Sequence, residues 1–354
     1  MKVVHIIGKL NPGGVETWLK DLSKFQGDKM HIIVHKSGKG FYDDIVRENG
    51  AHLRLIKLNG NRLGFYYELY KYLKFNGIGI MHSHVNLAST LMLLVAWLAG
   101  VKGRIAHCHN DKRSEYKKLN LTKRLYYKFM KIGLLIFANR RIAVSESCSN
   151  SMFYEFSDVE IIPCGLSFTD PLATTNRGDL GLKESDRVIV HVGRFVKQKN
   201  HLYIIRLLKV LDDRNTKLLL IGEGPLKDDV IREVNKLGLQ DQVLFLGVRK
   251  DVHSILKNIA NIFVLPSKFE GLGLVAIEAQ YFNVPTIVSD NVPKDVAISN
   301  YVTFLSLDNI NSWVNEIVTY SCVGNDKLLY ESYKQFTIEY NNIKLEKIYQ
   351  EFDS

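Results

Sequence analysis

No two of the four cysteines in these 354 residues stand at CxxC spacing. Cys108, Cys148, Cys164 and Cys322 are scattered, with no histidine at zinc-finger distance, which argues against a disulfide framework or a zinc module. Reduced, partly buried thiols of a cytoplasmic chain fit better. No apolar run reaches the roughly 20 residues of a membrane-spanning helix. The longest, LASTLMLLVAWLAG (87–100), reads as a buried helix. The opening MKVVHIIGKLNPGG has neither a signal-length apolar core nor a small-residue cleavage site, so the chain is expected to stay inside the cell. GxxxxGK[ST] is missing, which argues against a P-loop ATPase, and so is GxGxxG. Without a recognition-helix or RRM-type pattern, nucleic acid is not expected as a partner.

Present instead is an excess of cations, 47 Lys+Arg against 37 Asp+Glu, for a net charge of +10. That sign favours an anionic partner such as a nucleotide phosphate or an acidic lipid headgroup. Short apolar runs alternate with amphipathic stretches. KVVHIIG (2–8), HIIVH (31–35), HLRLIKL (52–58), GIMHSH (79–84), RIAHCH (104–109), RRIAVS (140–145) and VEIIPCG (159–165) read as strands, with helices such as 15–25 and 64–76 between them. After a polar, turn-rich linker (167–182) the pattern restarts with RVIVHVG (187–193), KLLLIG (217–222), QVLFLG (242–247), IFVLP (262–266), VPTIVS (284–289) and VTFL (302–305). Such alternation predicts parallel βαβ units with right-handed crossovers, hence an α/β chain of two doubly wound, Rossmann-like halves. Residues 328–352 form a helical tail with no strand after it. Open α/β sheets bind ligands beyond the carboxyl ends of their strands, so two such sheets are expected to face a central cleft.

The chemistry-bearing residues gather after strands. Gly13 and Gly14 precede a helix, where bare backbone N–H groups and the helix dipole suit a phosphate, although glycines serve plain turns equally. HVGRFVKQKNH (191–201) sets Arg194 and Lys199 between a strand end and a helix start. Two cations there can pair with a pyrophosphate and balance charge on a departing diphosphate. IGEGPLKDDV (221–230) is another strand–glycine turn, and after LGVRKDV (246–252) the backbone at Val248 and Arg249 can meet a base. His107 and His109, with His82 and His84, suggest a metal at first sight. No acidic residue stands at ligand spacing, so satisfied structural histidines are the simpler reading, with His109 the one at the strand mouth. In KFEGLGLVAIEAQ (268–280), Glu270 precedes and Glu278 follows a loop-to-helix junction, with Gly271, Leu272, Gly273 and Leu274 between them. A carboxylate accepts two hydroxyl donors at once, so Glu278 suits a ribose diol and Glu270 a sugar, straddling a diphosphate.

GGVE (13–16), GRFVKQKNH (193–201), IGEGPL (221–226) and EGLGLVAIEA (270–279) together resemble the retaining glycosyltransferases of family 4, which have the GT-B fold. The resemblance is nearest to bacterial enzymes that build capsular and exopolysaccharide repeat units, and its motifs cover nearly the whole chain in order. It implies an N-terminal acceptor domain (1–166), a nucleotide-sugar domain (167–330) and a C-terminal helix (331–354) crossing back onto the N-domain. Gly13 and Gly14 would lie beside the donor diphosphate, which Arg194 and Lys199 would hold. Glu278 would bind the ribose. Glu270 would sit by the donor sugar as a catalytic residue, with the backbone of Gly271–Leu274 around the sugar hydroxyls and phosphate. His109 would be the catalytic histidine near the reacting carbon, with His107 as the other candidate. No cofactor and no metal are implied, and no two aspartates stand at DxD spacing. Cys164 departs from the family, which more often has Asn there.

The implied reaction moves a hexose from a nucleotide sugar, UDP-linked by expectation, to a polyprenyl-diphosphate-linked glycan. Residues 112–131, KRSEYKKLNLTKRLYYKFMK, interleave cations with Leu, Tyr, Phe and Met, as a peripheral contact with an anionic membrane on the inner face of the cell would require. A GT-B nucleotide-sugar epimerase shares such a cleft but needs added acid/base carboxylates. A non-catalytic GT-B binding subunit would be expected to have lost some of Arg194, Lys199, Glu270 and Glu278.

Overall fold

The computed structural model describes residues 1–58, 60–113, 116, 119–168, 174–320 and 333–353. Cys322, four positions of the basic stretch (114, 115, 117, 118), part of the linker (169–173) and the first residues of the tail (to 332) lie outside the described residues. The chain divides into two compact units, Met1–Ser167 with Gln335–Ser354, and Phe168–Lys334.

The first unit holds β1 (Lys2–Ile7), β2 (Met30–Val34), β3 (His52–Leu55), β4 (Ile78–Ser83), β5 (Gly103–Cys108), β6 (Arg140–Ala143) and β7 (Glu160–Ile161). They form one parallel sheet in the order β3-β2-β1-β4-β5-β6-β7. The second unit holds β8 (Arg187–Val192), β9 (Thr216–Ile221), β10 (Val243–Gly247), β11 (Ile262–Leu265), β12 (Thr286–Ser289) and β13 (Val302–Leu305), parallel in the order β10-β9-β8-β11-β12-β13. Helices cover both faces, so the strands are apolar almost without a break: Val4, Ile6, Ile32 and Ile80 in one unit, Leu218 and Val264 in the other, are fully buried. β7 is shorter than the apolar run 159–165 because Pro163 has no N–H to extend the ladder.

Each sheet reverses its strand order once, between β1 and β4 and between β8 and β11. These switch points are where open α/β sheets leave a crevice for a ligand. The turns after β1 and β8 carry the glycine and cation motifs, and the turn after β11 carries Glu270.

The apolar stretch 87–100 contains the helix Ser89–Leu98, and it is not buried throughout. Met92, Leu93 and Ala96 lie inside, whereas Trp97 and Leu98 are more than half exposed. The helix packs against β4, β5 and the helix Leu121–Phe137, and in its partly exposed last turn Trp97 still meets Phe137 at 5.9 Å.

The helix Ile338–Gln350 is capped by the Thr337 hydroxyl, which accepts from Tyr340 N. It belongs to the first unit and is tied there by specific polar bonds. Leu166 N donates to Phe336 O at 2.7 Å, and Ile338 N donates to Leu166 O at 3.0 Å. The indole N–H of buried Trp18 donates to Asn341 Oδ1 at 2.7 Å, and Asn341 Nδ2 donates to Pro163 O at 2.7 Å. Replacing Asn341 with Leu strands both the indole N–H and the Pro163 carbonyl, at about 1–3 kcal/mol for each buried group left unpaired. Urea unfolding of Asn341→Leu is expected to show that loss, and Trp18→Phe a smaller one; wild-type stability in both would dismiss the network as an anchor.

Candidate functional site

At the carboxyl end of β8 the turn is fixed by backbone bonds to its neighbours. Gly193 N donates to Ile221 O at 2.9 Å, Phe195 N to Glu223 O at 3.1 Å, and Gly222 N to Gly247 O at 2.8 Å. This close approach requires glycine at 222, where φ is +140° and a Cβ would lie 2.2 Å from Gly193 O. The IGEGPL turn is thus a brace for the loop that carries Arg194 and Lys199.

Lys199 Nζ donates to Glu270 Oε1 at 2.6 Å, with both side chains largely buried. Gln198 Nε2 donates to Glu270 Oε2 at 3.2 Å and to Phe269 O at 3.0 Å, and Lys268 N donates to Gln198 O at 2.8 Å. The loops after β8 and β11 are therefore stitched together across the switch point by one carboxylate. The Arg194 guanidinium is exposed and has no partner among the described residues. Since Glu270 already offsets Lys199, Arg194 and the exposed Lys197 are the uncompensated cations of this turn among the described residues.

Beyond Glu270 the chain turns through Gly273, at φ +96°, into the helix Leu274–Tyr281, whose start has no side-chain cap. The first-turn N–H groups thus lack a side-chain acceptor, the arrangement that receives an anion. Glu278 sits on this helix, and His253 Nε2 lies 3.3 Å from its Oε1. Leu272 is buried and Leu274 half-buried. The Arg249 side chain is committed to Asp251, at 2.5 and 2.8 Å, and Thr175 Oγ1 donates to the same carboxylate. The Arg249 guanidinium beside Asp251 holds its carboxyl down to about 2. What remains for a ligand at this turn is the backbone of Val248 and Arg249, with Val248 exposed.

In the first unit, Gly13 caps the helix Gly14–Gln26 without a side-chain bond, and the Glu16 carboxylate folds back over it, 2.5 Å from where a Cβ would be. Behind this turn lies a block of five buried histidines, His5, His82, His84, His107 and His109, gathered around Trp18. Parallel register brings them together, since His5 pairs with His82 and period-2 alternation keeps all five on one face. His5 Nδ1 lies 3.0 Å from His84 Nε2, and His84 Nδ1 lies 2.8 Å from His109 Nε2. The Cys164 thiol meets His109 Nδ1 at 3.4 Å. In a second chain, Tyr349 Oη lies 2.8 Å from His82 Nδ1, and His82 Nε2 lies 3.1 Å from His107 Nδ1. Both ring nitrogens of His109 are therefore engaged inside this unit.

Burial, reinforced by the neighbouring rings, pushes His82, His84 and His107 well below the ordinary imidazole value, and His5 and His109 to about 3. Burial pushes the Cys164 thiol up. Two ring triads, His5–His82–His84 and His84–His107–His109, have nitrogens close enough to share an ion. The rings hydrogen-bond to one another and to Cys164, while the buried His5 Nε2 and His107 Nε2 have no hydrogen-bond partner among the described residues. Sequence reasoning missed His5, Gln198 and His253. His5 had a usable signal, because its strand neighbours His82 in the doubly wound order; Gln198 and His253 become visible only once the loops are folded.

Two units of this strand order, each with a glycine turn at its switch point, have the architecture of the GT-B glycosyltransferases. Residues 12–169 match the model of Glycosyltransferase Family 4, and residues 173–317 that of Glycosyl transferases group 1. The chain is 30% identical over 277 residues to the UDP-Gal:alpha-D-GlcNAc-diphosphoundecaprenol alpha-1,3-galactosyltransferase of Escherichia coli, covering 74% of this chain and 70% of that protein. It is 24% identical over 308 residues to the capsular polysaccharide biosynthesis glycosyltransferase CapH of Staphylococcus aureus, covering 85% and 84%. The solved structure of Anabaena Alr3699/HepE in complex with UDP and glucose superposes with a TM-score of 0.80 at 16% identity, over 98% of both chains. The chain belongs to glycosyltransferase family 4 and is a glycosyltransferase of GT-B fold.

The histidine block has a pH signature. Its folded-state pKa values lie below the unfolded value of about 6.5, so the unfolded chain binds more protons in acid. Stability is then fully present above pH 6.5 and erodes as pH falls toward 3, with each histidine adding up to about 1.4 kcal/mol per pH unit. Chemical denaturation at stepped pH is expected to show this slope, made shallower by His107→Gln. A flat profile between pH 6.5 and 4 would contradict it.

Proposed function

We propose that this glycosyltransferase is retaining and metal-independent, and moves a hexosyl group from a UDP-sugar to a polyprenyl-diphosphate-linked glycan in capsule or exopolysaccharide synthesis. The observation that carries this reading is the β8 turn, with exposed Arg194 beside the Lys199–Glu270 pair at the switch point of the second unit. Arg194 and Lys199 hold the donor diphosphate, joined by N–H groups of Gly271–Leu274. Glu278 accepts from the ribose, and Glu270 from the sugar. The UDP-bound neighbour of the same fold and the relative whose name specifies a diphosphoundecaprenol substrate support the kinds of partner.

In the transfer, the bond from the anomeric carbon to the diphosphate breaks and the acceptor hydroxyl bonds that carbon from the same face. The hydroxyl proton passes to an oxygen of the departing diphosphate, whose growing charge the cations balance. This route needs no side-chain base. His109, with both nitrogens engaged by His84 and Cys164, carries no proton in this route. Metal independence is supported by this cationic turn and by the lack of a DxD pair in the sequence.

Membrane contact is supported by the helix Leu121–Phe137. Leu121, Leu125, Phe129, Ile132 and Ile136 follow helical spacing and are all exposed, Leu121 by 80%. Lys123, Arg124 and Lys128 are exposed on the same helix. An apolar stripe flanked by cations matches an anionic bilayer surface. Among the described residues no helix is long and apolar enough to cross a membrane.

Incubation with UDP-hexoses and a polyprenyl-diphosphate glycan is expected to release UDP and lengthen the glycan equally with and without EDTA. Loss of turnover with chelator would end the metal-free claim. Arg194→Ala is expected to lower turnover about 10²-fold or more with the fold intact, and a wild-type rate would overturn the diphosphate assignment. Phosphatidylglycerol vesicles should pull down the protein, phosphatidylcholine vesicles should not, and Leu125→Asp with Phe129→Asp should abolish capture. Equal capture on both lipids would remove the electrostatic part of this reading.

A further inference from the structure

Glu278 is fastened from outside its own helix. It lies on the helix Leu274–Tyr281 and is only partly buried, so its side chain alone would sample several rotamers. A neighbouring element limits that freedom. His253 belongs to the helix Val252–Asn258, and its Nε2 lies 3.3 Å from Glu278 Oε1. A carboxylate only accepts, so the imidazole N–H is the donor of this pair.

The imidazole is itself held in place. Phe282, one residue past the Glu278 helix, lies against it with ring centroids 5.1 Å apart. Just before it, Asp251 takes the Arg249 guanidinium and the Thr175 hydroxyl. Just after it, the Ser254 hydroxyl accepts from Thr175 N at 2.7 Å. With both chain neighbours tied down, the ring meets Glu278 without a search. Gln198 does the same for Glu270, the other carboxylate of this unit's site. Glu278 differs in keeping capacity to spare, since its Oε2 has no hydrogen-bond partner among the described residues. An oriented carboxylate with one oxygen taken and one free can still accept from both hydroxyls of a diol.

We propose that His253 is a positioning residue of the donor site, which holds Glu278 in the orientation that takes both hydroxyls of the nucleotide's ribose. It thereby sets a preference for ribonucleotides over nucleotides that lack the diol. The inference rests on the reading above that Glu278 accepts from the ribose. His253 acts through Glu278 by removing side-chain freedom before the nucleotide arrives, so that binding does not have to.

UDP and 2′,3′-dideoxy-UDP, titrated calorimetrically, read the preference directly. The wild type is expected to bind UDP about tenfold or more tightly than the dideoxy compound, as loss of hydrogen bonds to a charged group implies. His253→Leu and His253→Ala should each bind UDP about fivefold less tightly, and dideoxy-UDP within about twofold of wild type. Leucine keeps an apolar contact with Phe282 and alanine does not, so a loss common to both belongs to the N–H and not to packing. His253→Gln, which keeps an N–H donor, should recover most of the UDP affinity. In turnover, His253→Leu should raise the KM for the UDP-sugar and leave kcat within about twofold. Equal weakening of both nucleotides, or wild-type UDP affinity in both variants, would overturn the role of His253. Glu278→Gln separates the two claims. It should abolish the hydroxyl preference, and a preference kept there would bring down the ribose reading together with this inference. A preference lost in Glu278→Gln and intact in His253→Leu would overturn this inference alone.

Discussion

The second unit turns on one ion pair. Lys199 and Glu270 come from loops after β8 and β11, the two strands between which the sheet reverses its order, and their side chains meet at 2.6 Å in a largely buried place. Removing either partner leaves a buried charge uncompensated, the situation that makes such pairs difficult to break. The pair does more than join two loops. It fixes the carboxylate whose remaining lone pairs can meet a sugar, and it partly neutralises one cation so that the exposed Arg194 and Lys197 of the same turn carry the net charge. Gln198 holds the other Glu270 oxygen and leaves the carboxylate little freedom to turn.

The first unit solves a different problem. Its strand ends carry five histidines where a charged cluster would be costly to bury, and it keeps them neutral by burial and by hydrogen bonds to one another, Cys164 and Tyr349. Trp18 lies against the block and donates to Asn341, so the C-terminal helix is fastened to the residues that support the Gly13–Gly14 turn. A helix at the far end of the sequence thereby steadies strand ends formed in its first hundred residues.

Much of this was legible in the residues. Near-continuous apolar runs marked the strands, because parallel sheets covered on both faces bury most strand positions, but several runs outlast their strands: 52–58 ends as β3 at Leu55, and 159–165 is stopped by Pro163. The stretch 87–100 reads as a buried helix, yet Trp97 and Leu98 are exposed; apolar composition reports a helix's mean environment, not the fate of its last turn. Arg194, Lys199, Glu270 and Glu278 stood out because they follow strands beside glycines. The sequence held no sign that Lys199 and Glu270 touch, since 71 positions separate them and only the switch point brings them together. Nor could it show that Cys164, met as an oddity, would engage His109. Pairings across loops depend on backbone geometry that no local pattern encodes.

The Lys199–Glu270 pair can be tested on UDP binding through Lys199→Met, Glu270→Gln and the double variant, by calorimetry. The account predicts that UDP binds the wild type, that each single change weakens it, and that the double variant is no weaker than the worse single, a coupling of about 1 kcal/mol or more. UDP affinities unchanged across all three variants, or losses that simply add, would contradict a donor site organised by this pair.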